Sequence, residues 1–173
     1  MSLKGRRRRP WLELSRLETE RDYLNHQVKQ LIKYHEGPVD IFKDRLPTNS
    51  FYDKERVRFH GQELWRAYEI LCPRDKPYIS DAVLDITGER GIASLWIDQG
   101  RFIGKRGSIR GKYSNQEYEN ITKWLNRFSI PAVIHSNQTA ILEISIRKDA
   151  MPTLLNIISP YVPKIMKNKL KQR

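Results

Sequence analysis

Residues 88–100, GERGIASLWIDQG, constrain the fold of this chain more than any other stretch. Ala93 and Ser94 are small enough to admit another helix backbone at close range. Leu95, Trp96 and Ile97 are too apolar to be left in water as a group. Asp98, Gln99 and Gly100 put polar groups, then a helix-stopping glycine, where such a helix would end. The spacing predicts a short buried helix that delivers a carboxylate at its last turn, a geometry suited to a metal ligand. A plain core helix with a glycine cap satisfies the same spacing.

The rest of the chain alternates strand and helix patterns. Residues 11–17 (WLELSRL) read as a strand. Thr19 with Asp22 resembles a capping box opening a helix to about residue 34, with Leu24, Val28, Leu31 and Ile32 on one face and Gly37–Pro38 at its end. Residues 39–45 and 55–60 read as strands, with a loop at 47–50 between them. Residues 62–71 read as a helix with Leu64, Trp65, Tyr68 and Leu71 inward, and residues 73–77 break the chain. After the 88–100 helix come strands at 101–105 and 108–113, joined by a turn at Arg106–Gly107. Ser114 and Glu117 open a helix burying Tyr118, Ile121, Trp124, Leu125 and Phe128. Strands at 131–136 and 140–147 flank a turn at Asn137–Gln138, and a helix at 149–158 is stopped by Pro160. From residue 88 the order is helix, strand, strand, helix, strand, strand, helix. The first half shows that order without its first helix and first strand. Paired strands between single helices predict an α+β fold with antiparallel sheets.

Charge narrows the partners. Lys and Arg number 32 against 20 Asp and Glu, a formal net charge of +12 over 173 residues. That excess fits a polyanion. The single cysteine, Cys72, precludes an internal disulfide and points to a reducing, intracellular setting. No run of about 18 apolar residues is present to cross a bilayer, so no membrane partner is expected. His26, His35, His60 and His135 are scattered without zinc-site spacing, and no glycine-rich phosphate loop or Ser/His/Asp arrangement stands out. Arg6–Arg9 form a basic cluster near the start of the chain.

In a sheet with one face on helices, alternate side chains face out. Val57 and Phe59 want the core, so Arg56, Arg58 and His60 point the other way. Ile109 and Tyr113 want the core, which puts Ser108, Arg110 and Lys112 on the outer face. Leu142, Ile144 and Ile146 leave Glu143, Ser145 and Arg147 outside. Arg101, Lys105 and Arg106 sit at strand ends as candidate phosphate contacts. Such basic rows can follow the major groove, where arginine pairs well with guanine.

Ile92 to Gly100 resembles, position by position, the signature helix of the LAGLIDADG homing endonucleases, which often reads like LAYWFMDDG. Residues 160–170 (PYVPKIMKNKL) look like that family's closing segment. Residues 75–83 (DKPYISDAV) look like the linker before its second motif, and residues 9–23 like the strand and helix after its first. The resemblance covers roughly residues 2–170. It implies a pseudo-twofold αββαββα repeat with saddle-shaped antiparallel sheets, first helix missing. The expected division is 1–86, a half without its signature helix, and 87–173, a half with signature helix 88–100.

The resemblance also implies chemistry. The family cuts double-stranded DNA at specific sites with a divalent metal, commonly Mg2+, held by an acid from each signature helix. Here Gln99 stands where that acid is expected, and Asp98 lies about 100° round the helix. The chain opens MSLKG, in which Ser2 and Leu3 match only the tail of a first motif. Lys76 and Lys169 match basic residues that the family keeps near its active centre. The expectation is therefore a double-stranded DNA-binding protein of homing-endonuclease type with impaired cleavage. Candidate catalytic positions are Asp98, Gln99, Lys76 and Lys169, and Asp98 is the candidate metal ligand. Mg2+ is the cofactor if the protein is active. An active nuclease using Asp98, an intron-RNA-binding maturase and a merely structural basic protein are the alternatives. Either a pseudo-twofold monomer or a homodimer paired through helix 88–100, by way of an exposed face around Ala93 and Ser94, is compatible with these motifs.

Overall fold

The computed structural model describes residues 11–44, 54–73, 76–136 and 142–171. The expected features at Arg6–Arg9, Ser2–Leu3, the 47–50 loop and the Asn137–Gln138 turn lie outside those residues. The chain divides into two compact units, Met1–Lys76 and Pro77–Arg173. The expected division at 86/87 falls inside a helix of the second unit.

The first unit comprises β1 (Leu12–Leu17), α1 (Arg21–Leu31), β2 (Asp40–Asp44), β3 (Lys54–Phe59) and α2 (Gln62–Leu71). Its sheet has the order β1-β3-β2 with both pairings antiparallel. The strict alternation of β1 and β3 turns Leu12, Leu14, Val57 and Phe59 to one face, where Leu24 and Val28 of α1 close a small core with Leu64 of α2. Thr19 does not cap α1. It lies in a 3-10 turn, Glu18–Glu20, and Glu20 occupies the cap position without a side-chain hydrogen bond. The inward face of α1 includes Tyr23 and leaves Ile32 half exposed. Helix α2 buries no residue. Trp65 and Leu71, expected inward, are exposed. The Trp65 indole instead lies along the helix and donates from Nε1 to Glu69 Oε1 at 2.9 Å, which satisfies its polar edge without a core.

The second unit comprises α3 (Asp81–Gln99), β4 (Gly100–Ile103), β5 (Arg106–Ile109), α4 (Asn115–Arg127), β6 (Ala132–Ser136), β7 (Leu142–Ile146) and α5 (Met151–Ile158), with a closing 3-10 segment, Lys164–Leu170. This is the αββαββα order in full. Its sheet runs β4-β5-β7-β6, all antiparallel. The strand orders of the two units correspond, β1 with β5, β3 with β7 and β2 with β6. Among the described residues the first unit has no counterpart of β4. Ile92 and Trp96 of α3, Ile121 and Trp124 of α4, and Leu154 and Ile158 of α5 pack with Ile109, Ile144 and Ile146 of the sheet as a fully buried core. Ser114 and Glu117 form the expected capping box.

Two local expectations in this unit are corrected. Helix α3 starts at residue 81, where Ser80 Oγ accepts from Val83 N–H, so part of the expected linker is helical. Gly88, with φ 52 and ψ −144, is non-helical, so two helical segments meet there at a kink and the second is the helix expected to end at Gly100. The hairpin turn is Gly104–Lys105, not Arg106–Gly107, since Ile103 pairs with Arg106. Gly104 takes φ +56 with open space around it, as the first central residue of a primed hairpin turn requires.

Candidate nucleic-acid interface

On the first unit's sheet the face opposite the core carries the predicted arginines. Glu13 pairs in register with Arg58, and Ser15 with Arg56. Glu13 accepts from Arg58 Nε at 2.8 Å and from Arg56 NH1 at 3.4 Å, one oxygen to each. The Arg58 hydrogen bond holds the Glu13 carboxyl below its usual range against the opposing effect of burial, and the nearby Arg56 charge adds to the lowering. The Arg58 guanidinium also lies over the Trp11 ring at 5.2 Å, a cation–π contact. His60 follows β3, and its ring meets Trp11 at 6.3 Å and His35 at 6.1 Å. Lys76, the last residue of this unit, is exposed.

The second unit repeats the arrangement with different residues. Register aligns Arg101, Ser108, Ser145 and Val133 across the four strands on the open face. Glu143 Oε2 accepts from Ser108 Oγ at 3.0 Å and lies 3.5 Å from Arg101 NH2. Ser108 is thereby buried although it faces away from the helices. Arg106 and Lys105 are exposed at the hairpin tip. Arg110 is half-buried beyond the end of β5, its N–H donating to Gln99 O at 3.3 Å. Strand β5 ends at Ile109, short of the expected residue 113, so strand alternation does not place Lys112, which lies exposed in a bend. Arg147 follows β7 and forms a two-armed pair with Asp149, at 3.0 and 2.7 Å. The open faces are thus not purely basic. Each carries a carboxylate among its arginines. Trp11 and Glu13 were not singled out from the sequence, although the alternation in WLELSRL places both opposite Leu12 and Leu14.

The end of α3 and the C-terminal segment meet in this unit. Trp96, fully buried, donates from Nε1 to Lys169 O at 2.9 Å and stands edge-on to Phe102 at 5.4 Å. Gly100 is required at the junction. A Cβ there would fall 2.4 Å from the Trp96 ring. A polar cavity of about 350 Å3 opens beside it, lined by Gly100, Arg101, Asn168, Lys169 and Lys171 among others. Asp98 and Gln99 are both exposed at the helix end. The Tyr113 hydroxyl is pushed up to about 12 by burial first, then by the neighbouring Tyr118, Asp98 and Glu117; Asp98 therefore acts on the Tyr113 side. On the expected packing face of α3, Ala93 is buried, while Ser94 is exposed and lines an apolar groove of about 460 Å3 with Val83, Leu84, Leu95 and Trp124.

No protein-family model matches the chain, and no curated protein matches it in sequence. Solved structures do match. The homing endonuclease I-WcaI bound to its DNA recognition sequence superposes with a TM-score of 0.79 at 18% identity, over 100% of this chain and 80% of that one. The fold is that of the LAGLIDADG homing endonucleases. I-DmoI in complex with DNA and Ca matches at TM-score 0.60 and 16% identity, over 97% of this chain and 86% of that one. The I-DmoI complex with DNA and Mn matches at 0.56 and 15%, over 92% and 86%.

Within this LAGLIDADG-type fold the donor set at the helix end is poor in charge. Hard divalent cations take roughly six or more oxygen ligands, typically with carboxylates among them. Residue 99 offers a neutral amide, and among the described residues no group of three or more His, Cys, Asp or Glu side chains is gathered. No helix of the described residues is long and apolar enough to cross a membrane.

Proposed function

We propose that the chain binds double-stranded DNA through the open faces of its sheets, as a protein of homing-endonuclease type whose strand cleavage is impaired at Gln99. The observation that carries this reading is the pattern of arginines on those faces. Arg56 and Arg58 stand on β3, and Arg101 stands on β4 with Arg106 and Arg110 at the two ends of β5. Side chains two residues apart on a strand are roughly 7 Å apart, about two base-pair steps of roughly 3.4 Å, so one row can address every second base pair in a groove wide enough for a β-ribbon. Lys105 and Arg106, at the exposed hairpin tip, suit backbone phosphates, which position a protein without reading sequence. The cavity with Arg101, Lys169 and Lys171 offers converging positive charge for a phosphate beside the helix end. That a structure of the same fold, I-WcaI, is bound to its DNA recognition sequence supports DNA as the partner. The replacement of an acid by Gln99 supports the loss of cleavage, because an amide adds no charge to draw in a divalent cation.

Two measurements test the reading. Fluorescence anisotropy with duplex DNA and with a structured RNA of equal length separates the DNA and intron-RNA alternatives, and tighter binding to the RNA overturns the first. The DNA affinity is expected to fall steeply with salt, log K dropping by about 0.9 for each phosphate neutralised. Incubation with a supercoiled library of targets and Mg2+ tests cleavage; efficient double-strand cutting overturns the impairment.

A further inference from the structure

Each open face holds a carboxylate in a place where a polyanion-binding surface has no obvious use for one. We propose that Glu13 and Glu143 are specificity-determining positioning residues. Glu13 orients Arg56 and Arg58, Glu143 orients Arg101, and each acid by its charge turns phosphates away from that spot. This rests on the DNA-binding reading above and adds to it which residues make the binding selective.

The geometry is similar in purpose and different in detail. Glu13, the second residue of β1, divides its two oxygens between Arg58 at 2.8 Å and Arg56 at 3.4 Å. Arg58 is held a second time, over the Trp11 ring. Glu143, on β7, gathers Arg101 and the Ser108 hydroxyl on a single oxygen, Oε2. Among corresponding strands the acid has moved, since β7 is the counterpart of β3 and not of β1. The acid's recurrence on the open face of each sheet, on different strands, is what a selective surface needs and a purely adhesive one does not.

The physical consequence follows from arginine's shape. A free arginine side chain carries several rotatable bonds, and ordering it on binding opposes association. A guanidinium already tethered presents its planar fork in fixed orientation, so it bonds well to a base edge that matches and poorly to one that does not. A carboxylate alongside also accepts from the cytosine amino group and repels phosphate. Surface ion pairs add little to folding, so removing these acids should be felt in recognition rather than in stability.

The test uses the full chain to select from a pool of randomised duplexes, comparing the parent with Glu13→Gln and Glu143→Gln. Both variants should melt as the parent does. Each should lose preference by roughly fivefold or more at the base pairs its arginines address, while other positions keep theirs. Binding to an unselected duplex should strengthen, with a salt slope steeper by about 0.9, as for one further phosphate contact. A selected motif and a slope unchanged in both variants overturn this inference and leave the DNA reading standing. A parent chain that binds duplex DNA but selects no motif overturns this inference, and one that does not bind duplex DNA overturns both. Should Glu143→Gln fail to fold, Arg101→Gln, at an exposed position, must erase preference at the same base pairs, and an intact motif there again refutes the proposal.

Discussion

Replacing Trp96 by phenylalanine tests whether the end of α3 and the C-terminal segment are one structure. The indole is fully buried, donates to Lys169 O at 2.9 Å and meets Phe102 edge-on. Phenylalanine keeps an aromatic ring and removes the donor. Removing the donor leaves the Lys169 carbonyl unsatisfied, which costs about 1–3 kcal/mol. The smaller ring removes about 40 Å2 of buried apolar surface, worth about 1 kcal/mol at 25 cal/mol per Å2. The expected loss is about 2–4 kcal/mol. For a unit of about 100 residues that is roughly 8 °C or more in the midpoint of thermal unfolding. Calorimetry reads that loss. Hydrogen exchange locates it, with faster exchange in residues 164–171 than the global loss explains. A midpoint within about 2 °C of the parent, with exchange in that segment unchanged, would refute the idea that Trp96 fastens the terminus.

Gly100→Ala should destabilise the second unit by about 1–3 kcal/mol through overpacking, because the added methyl meets the Trp96 ring; urea denaturation checks this. Gln99→Glu should fold as the parent does and leave a supercoiled target uncut in Mg2+, since one acid does not complete a cation site; a clear gain in plasmid cleavage contradicts that account. Burial alone would raise the Glu117 carboxyl, but the N–H groups of Ser114 and Ile79 hold it below its ordinary 4.5. Its contribution is therefore present above that value and lost as pH falls through the lower folded one. Glu117→Gln should be less stable than the parent at neutral pH, with the gap closing in acid, as melts across pH 3–7 on the order of one pH unit apart would show.

Much of this fold was legible because period and punctuation agreed. The alternation around Ile109 and Ile144 set the faces of one sheet, and Ser114 with Glu117 marked the start of α4. The helix ending at Gly100 was readable from its composition. The errors came where one residue type serves two purposes. Gly104 and Gly107 compete for the turn in GKRG, and packing decides between them. Gly107 sits against Ile146 and Met151, where a side chain does not fit, while Gly104 has space and a positive φ. Trp65 reads as core, yet a glutamate one turn away lets it lie on the surface. For the site, the alternation found the arginines. Lys169 beside the end of α3 was reachable only through the family resemblance, and the division of one carboxylate between Arg56 and Arg58 only through coordinates.

The exposure of residue 99 between two closely packed positions has a practical consequence. Trp96 is fully buried and a Cβ at position 100 would meet its ring, whereas Gln99 is exposed at the helix end. Every amino acid except proline should be tolerated there with little change in melting. The scaffold can therefore be given a new functional group at that helix tip, a ligand, a nucleophile or a spectroscopic label, by one codon change and without repair elsewhere.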